Sequence, residues 1–263
     1  MPASDLIDNR ILGRGELHFG KFLDGTYTPE GELYMGNTPE FNLTIESEQL
    51  DHFSSDHGVN ELDDSVPLST NRTANMITDN ISPDNLAMLF LGDSSVQVQS
   101  STPVVDEVVV AGLTTKANMW YQLGVTVSNP TGVRDVSAVT IKNGTSNTAL
   151  VLNTDYEIDL ALARFRIITG GAGVGIAIKA SYTPAAKSRA RVISKGRTIT
   201  GSLRFIADNP AGKDFDYYMP RVQITANGDF ALKGDEWQQI SFTVKILKRD
   251  SSTEALYIDG RPY

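Results

Sequence analysis

At 263 residues with 40% hydrophobic content, the chain is long enough for one large or two small cored domains and too apolar to be disordered. It has no cysteine, which excludes disulfides, thiolate nucleophiles and cysteine metal sites and fits a protein made in a reducing cytosol. The formal net charge of -9 is polarised: residues 1–100 hold 17 Asp and Glu against 4 Lys and Arg, and the remainder holds 15 against 19, which suits a head-to-tail contact between copies as well as it suits acidic loops that only aid solubility.

Residues 1–10 include Asp5 and Asp8 and no apolar run, so no signal peptide is expected; no stretch approaches the roughly 20 apolar residues of a membrane span. The first strand signal with clear alternation sets Phe41, Leu43 and Ile45 against Asn42, Thr44, Glu46 and Glu48, the period of a strand buried on one side. A polar segment, 53–65, then joins it to the next strand and is read as a loop far longer than a hairpin turn. Run 68–76 places Ser69, Asn71, Thr73 and Asn75 on one face. Ser82, Pro83 and Asp84 supply an N-cap, a first-turn proline and a first-turn acid for a helix over about 82–91. Leu86, Leu89 and Phe90 form its apolar stripe, and Gly92 can end it.

Short β runs follow at 107–111, 121–127, 138–142, 156–159, 165–169 and 175–180, with Asn143-Gly144 a hairpin signal. They predict a small sandwich, an outer β-rich insertion or second layer at 103–186, between core segments 1–102 and 187–263. In the last segment, run 199–205 sets Thr200, Ser202 and Arg204 on one face, and run 240–246 sets Ser241, Thr243 and Lys245. Leu203, Phe205, Phe242 and Val244 are expected to face the core with Leu43 and Ile45. The fold class is mainly β, a sandwich or split barrel with one short helix.

The four alternating runs share a wetted but weakly charged face. A polyanion can slide along such a surface, whereas stripes of Lys and Arg would hold its phosphates through counterion release. Chemistry is sparse elsewhere. The run from Gly170 to Gly175 lacks the following helix that a dinucleotide loop needs and is read as a turn. His52 and His57 flank Asp56 in a polar segment without further ligands. Asp63-Asp64 and Asp235-Glu236 sit in turn-like stretches, no nucleophile elbow or phosphate loop occurs, and the sequons at Asn42, Asn71 and Asn143 mean nothing without a secretory route. No catalytic residue, metal site or cofactor is expected.

Gly13-Arg14-Gly15-Glu16-Leu17-His18-Phe19, followed by Leu33-Tyr34-Met35-Gly36-Asn37-Thr38-Pro39-Glu40-Phe41-Asn42-Leu43, resembles the opening of the tail tube (major tail) proteins of long-tailed bacteriophages. Gly201-Ser202-Leu203-Arg204-Phe205, Pro210-Ala211-Gly212 and Leu232-Lys233-Gly234-Asp235-Glu236-Trp237 resemble the end of the same family. The resemblance implies a virion protein, made in the host cytoplasm, that stacks as hexameric rings around a channel for genome ejection. It implies a multi-subunit β-barrel tube, tape-measure, tail-terminator and tail-tip partners, and transient passage of double-stranded DNA. The lumen would be lined by Asn42, Thr44, Glu46, Glu48, Ser69, Asn71, Thr73, Asn75, Thr200, Ser202, Ser241 and Thr243, with Arg204 and Lys245 balanced by Glu46 and Glu48.

The same resemblance makes 53–65 a ring-stacking loop carrying Phe53, Asp56, His57, Val59, Glu61, Leu62, Asp63 and Asp64. The basic run Lys187, Arg189, Arg191, Lys195 and Arg197 is expected to face it across the ring-to-ring contact. The alternative is a β-sandwich module for surface or carbohydrate recognition, with Trp120-Tyr121 or Tyr217-Tyr218 as its aromatic platform.

Overall fold

Val, Ile and Thr runs of period two, punctuated by Gly, Pro and Asn, fold into sixteen strands and one helix among the described residues of the computed structural model, which are 10–56, 58–109 and 114–261. His57 and Ala111, both placed in elements above, lie outside them. In chain order the elements are β1 (Gly15–Lys21), β2 (Leu33–Tyr34), β3 (Glu40–Ser54), β4 (Glu61–Thr78), α1 (Pro83–Leu89), β5 (Asp93–Gln99), β6 (Val104–Val109), β7 (Trp120–Gln122) and β8 (Val136–Asn143). Then come β9 (Tyr156–Asp159), β10 (Arg164–Ile167), β11 (Ile178–Pro184), β12 (Lys187–Ile193), β13 (Ile199–Ala207), β14 (Phe215–Ala226), β15 (Ile240–Ile246) and β16 (Tyr257–Gly260). The chain divides into two compact units, Met1–Ser95 with Arg191–Tyr263, and Val96–Ala190.

The first unit is an eight-stranded antiparallel sheet in the order β2-β1-β13-β14-β15-β4-β3, with β16 also paired to β14. No sheet closes into a barrel among the described residues. Side chains directly opposite one another in antiparallel strands share a face, so the register sorts them. Leu43, Ala74, Val244, Ile224 and Ile199 form one cross-strand row, and Phe41, Met76, Phe242 and Ala226 the next. These rows, with Leu17, Phe19, Met35, Leu203 and Met219, build the core.

Two expectations need correction on that face. Leu43 and Ile45 are 37% and 58% exposed, because α1, the one helix among the described residues, packs on β14 and β15 and leaves the β3 end of the apolar face uncovered. Of the expected stripe, Leu86 and Leu89 pack partly buried against the core, but Phe90 stands exposed as the C-cap, and the fully buried residues are Asn85, Ala87 and Met88. Ser82 Oγ accepts from the Asn85 amide at 3.1 Å, as an N-cap should. The left-handed residue that ends the helix is Leu91 (φ 49°), one position before the glycine. Gly92 serves packing instead, since a Cβ there would meet the Ile193 carbonyl oxygen. At Gly36 (φ 82°) a Cβ would lie 2.3 Å from the Asn80 side chain, so only glycine fits the turn that brings Met35 and Asn37 carbonyls to Thr78 Oγ1, both at 3.0 Å.

The second unit has two three-stranded antiparallel sheets, β7-β10-β9 and β6-β11-β8, around Leu123, Ile141, Phe165, Ile167 and Ile178. The run expected as strand at 121–127 pairs only through Gln122, because Gly124 (φ 69°) turns the chain. The Gly170–Gly175 segment is the β10 to β11 turn, with a strand after it, and Ala172 N donates to Asp155 Oδ1 at 2.8 Å. Asp155 Oδ2 also accepts from Val151 N at 2.7 Å. β5 leaves the first unit and β12 returns to it, and the two pair as a two-stranded ribbon.

Two outcomes follow. Phe242→Ala, at a site with no exposure, should cost about 3–5 kcal/mol in urea unfolding. The Asp155 carboxyl is held below the usual aspartate range by the amides of Val151 and then Ala172. Its contribution is therefore complete above the unfolded value and lost as pH falls through the lower folded one. Asp155→Asn should reduce the melting temperature at neutral pH and flatten its decline as pH falls through and below the ordinary aspartate range.

Candidate assembly surface

The face opposite the core carries the polar residues in rows set by the same register. Thr44, Thr73, Lys245, Gln223 and Thr200 lie directly across from one another on five strands. Asn42, Asn75, Thr243 and Thr225 form the adjacent row, Ser241 stands opposite Ile77, and Glu46 and Glu48 face Asn71 and Ser69. Hydrogen bonds tie neighbours within the face: Thr243 Oγ1 to Asn75 Oδ1 at 3.3 Å, and Ser69 Oγ to Glu48 Oε2 at 3.2 Å. Thirteen of the fourteen candidate lining residues are accessible on this face. Ser202 is buried at 3% exposure, because the segment after β1 folds over it. A Cβ on its partner Gly20 would contact Ser202 Oγ, the Gly31 carbonyl and Pro29.

Arg204 is neutralised locally. Its Nε donates to both Glu32 oxygens at 2.9 and 3.1 Å, and its guanidinium lies 4.5 Å above the Tyr218 ring. Within the subunit, Glu32 is thus the carboxylate that pairs with Arg204. Lys245 stands exposed between Thr73 and Gln223. Gln223 and Thr225 extend the face onto β14, a fifth strand that the four-run reading missed although Val222-Gln223-Ile224-Thr225 alternates visibly.

The segment 53–65 is not a long loop. β3 and β4 continue pairing through Ser54↔Glu61, so no more than six residues separate the two strands. β15 pairs with β4 only as far as Arg72, so beyond that point β3 and β4 run on as a two-stranded arm. At about 3.3 Å per residue, the stretch from Ser47 to Ser54 projects roughly 25 Å. The pairs Leu50↔Val66 and Phe53↔Leu62 put apolar side chains on it, all more than half exposed, and Val59 at the tip is 74% exposed. Polar links brace it: His52 Nδ1 to Asp63 Oδ1 at 2.5 Å and Ser65 Oγ to Asp51 Oδ1 at 2.6 Å. No Lys or Arg occurs from 22 to 71, so the acids Asp51, Asp56, Glu61, Asp63 and Asp64 give the arm one sign of charge.

The basic run is engaged within the chain. Lys187 pairs with Asp135 at 3.0 Å, and Arg189 donates to the Gly132 carbonyl at 2.7 Å. Arg191 lies in β12. Lys195 pairs with Asp93, and Arg197 reaches Asp93 at 3.7 Å and Asp24 at 3.6 Å. Lys21 is the third cation on Asp93, at 3.9 Å. This cluster, led by the Lys195 hydrogen bond, holds the Asp93 carboxyl below the usual range. The aromatic pairs of the alternative reading are also engaged: Arg164 and Arg166 lie over Trp120 at 4.7 and 5.7 Å, Tyr121 packs on Phe165, and Tyr217 on Phe205.

The sheet has two open edges. One ends in β2, only two residues long, whereas among the described residues β3 leaves its outer edge unpaired over 15 residues, a long row of backbone groups open to another strand. Among the described residues no group of three or more His, Asp or Glu is placed to hold a metal ion. Replacing 48–69 by Asn-Gly, which would join Ser47 to its partner Thr70 through a two-residue turn, removes no buried side chain among the described residues. That variant should match the parent in unfolding free energy to within about 1 kcal/mol, measured by urea titration.

Residues 10–256 match the family described as "Protein of unknown function UCP028589", and the chain belongs to it. No curated protein matches the chain.

Proposed function

We propose that this family member is a structural, non-enzymatic virion protein that polymerises as stacked hexameric rings to form the tail tube of a long-tailed bacteriophage. One observation carries the reading: a sheet, unclosed among the described residues, whose polar, weakly charged face continues in register over five strands and ends at a 15-residue edge that no described strand pairs. Joining that edge to the opposite side of another copy would satisfy its backbone groups and continue the polar face from subunit to subunit. Five strands from each of six copies would give a wall of about 30 strands, wider than the roughly 16–18-stranded barrels that already leave an aqueous channel. The face would line the channel and let duplex DNA pass without being retained.

The arm supports stacking. A two-stranded ribbon exposing Leu50, Phe53, Leu62 and Val66 is marginal by itself and gains stability by lying against the next ring. Tape-measure, terminator and tip proteins are the further partners of such a tube.

Negative-stain electron microscopy of concentrated protein tests this. Rings or tubes with a central channel are expected, and the Asn-Gly variant lacking 48–69 should remain as folded subunits or isolated rings. A parent protein that stays monomeric at all concentrations would remove the tube reading. Normal tubes from the armless variant would remove the arm from stacking.

A further inference from the structure

Trp237 is the most exposed aromatic side chain among the described residues, at 93%, and Leu232 on the same loop is 78% exposed. Loop 227–239 joins β14 to β15 and is anchored at its base. Phe230 packs against the core and meets Phe90 edge-on at 6.5 Å, Gln238 Nε2 donates to the Ala231 carbonyl at 2.8 Å, and Asn227 N donates to the Ser241 carbonyl at 2.9 Å. The anchoring holds an indole and an isobutyl group in water with part of their ordering cost already met. A tryptophan displayed in this way has the character of a binding hot spot, since its burial would remove on the order of 150–250 Å² from solvent.

The same unit carries a cleft of about 780 Å³ beside β1 and β2, lined by no residue of loop 227–239. Phe19, Leu33, Ala87, Met88 and Ile199 supply its apolar lining. Four carboxylates and Lys21 line it as well: Glu32 is matched by Arg204, and Asp93 by Lys21, Lys195 and Arg197, whereas Glu30 and Asp84 take part in no ion pair among the described residues. Lys233 lies next to Leu232 on the projecting loop and offers the complementary charge.

We propose that Trp237 and Leu232 insert into this cleft on a second copy of the chain, with Lys233 against Glu30 and Asp84. Knob and cleft are different patches of one unit, so the contact is heterologous and repeats from copy to copy. It rests on the tube reading above but concerns a separate element from the arm and the free edge, and it assigns the loop a partner surface.

The chain has two tryptophans and no cysteine, which makes the test direct. Trp120→Phe leaves Trp237 as the sole indole reporter. On assembly, its emission should move to shorter wavelength and its quenching by acrylamide should fall several-fold. Trp237→Ala should raise the protein concentration needed for assembly by about tenfold or more while leaving the melting temperature of the subunit unchanged. Mixing Trp237→Cys with Leu33→Cys subunits should give an oxidised cross-linked dimer, and neither variant alone should.

If the parent assembles while Trp237 stays as quenchable as in the dispersed subunit, the docking proposal is overturned and the tube reading stands. Protection of Trp237 without the cross-link would overturn the cleft as its partner. Failure of the parent to assemble would overturn both.

Discussion

Antiparallel hydrogen bonding across β13, β14, β15, β4 and β3 is the constraint on which the rest of the first unit depends. A one-residue slip anywhere in that ladder would carry Val244, Phe242 and Ile224 to the polar face and Thr243, Lys245 and Gln223 into the core. The cost of burying those polar groups without partners holds the register in place. The one irregularity among β13, β14 and β15, the shift between Gly201 and Leu203 against β14, falls where Pro220 lacks an amide hydrogen to donate. Beyond it β14 exchanges partners, from β15 to β16.

That ladder also determines where the subunit is incomplete. Its apolar face is left open at the β3 end, its β3 edge has no partner among the described residues, and its arm loses the support of β15 after Arg72. The deficits share a chemistry: exposed Leu, Ile, Phe and Val beside unpaired backbone, with acids close by. Like charges on the arm disfavour pairing between two arms, so the acids guard an edge and a ribbon that would otherwise aggregate with any strand available. Selective assembly then depends on a surface that can accept both the apolar groups and the negative charge.

Much of the sheet was legible because period-two alternation survives wherever one side is buried, as in 240–246 and 199–205. The helix start was legible because Ser82, Pro83 and Asp84 act through the local backbone. The arm was not. Register shifts at Glu48/Gln49 and His52/Phe53 break the alternation, and with no buried face the ribbon's composition looks like that of a loop. Ser202 alternates like its neighbours, and only the fold of the following segment covers it. The Arg204 to Glu32 pair spans 172 residues, a separation at which no local pattern carries a signal. Leu91 in place of Gly92 as the left-handed residue reflects a tertiary demand, since the glycine is needed where Ile193 passes close.

The paired ribbon of β5 and β12 has a consequence for how such a chain can change over time. It holds the two ends of the inserted unit about one strand spacing apart, roughly 4.8 Å, so the insertion looks to the first unit like a long hairpin loop. The entropy of closing such a loop grows only slowly with its length, and an insert with its own core contributes its own folding energy. Position 96–190 is therefore a socket for cargo: it can be shortened, exchanged or diversified under selection for surface properties while the register that makes the sheet is inherited unchanged.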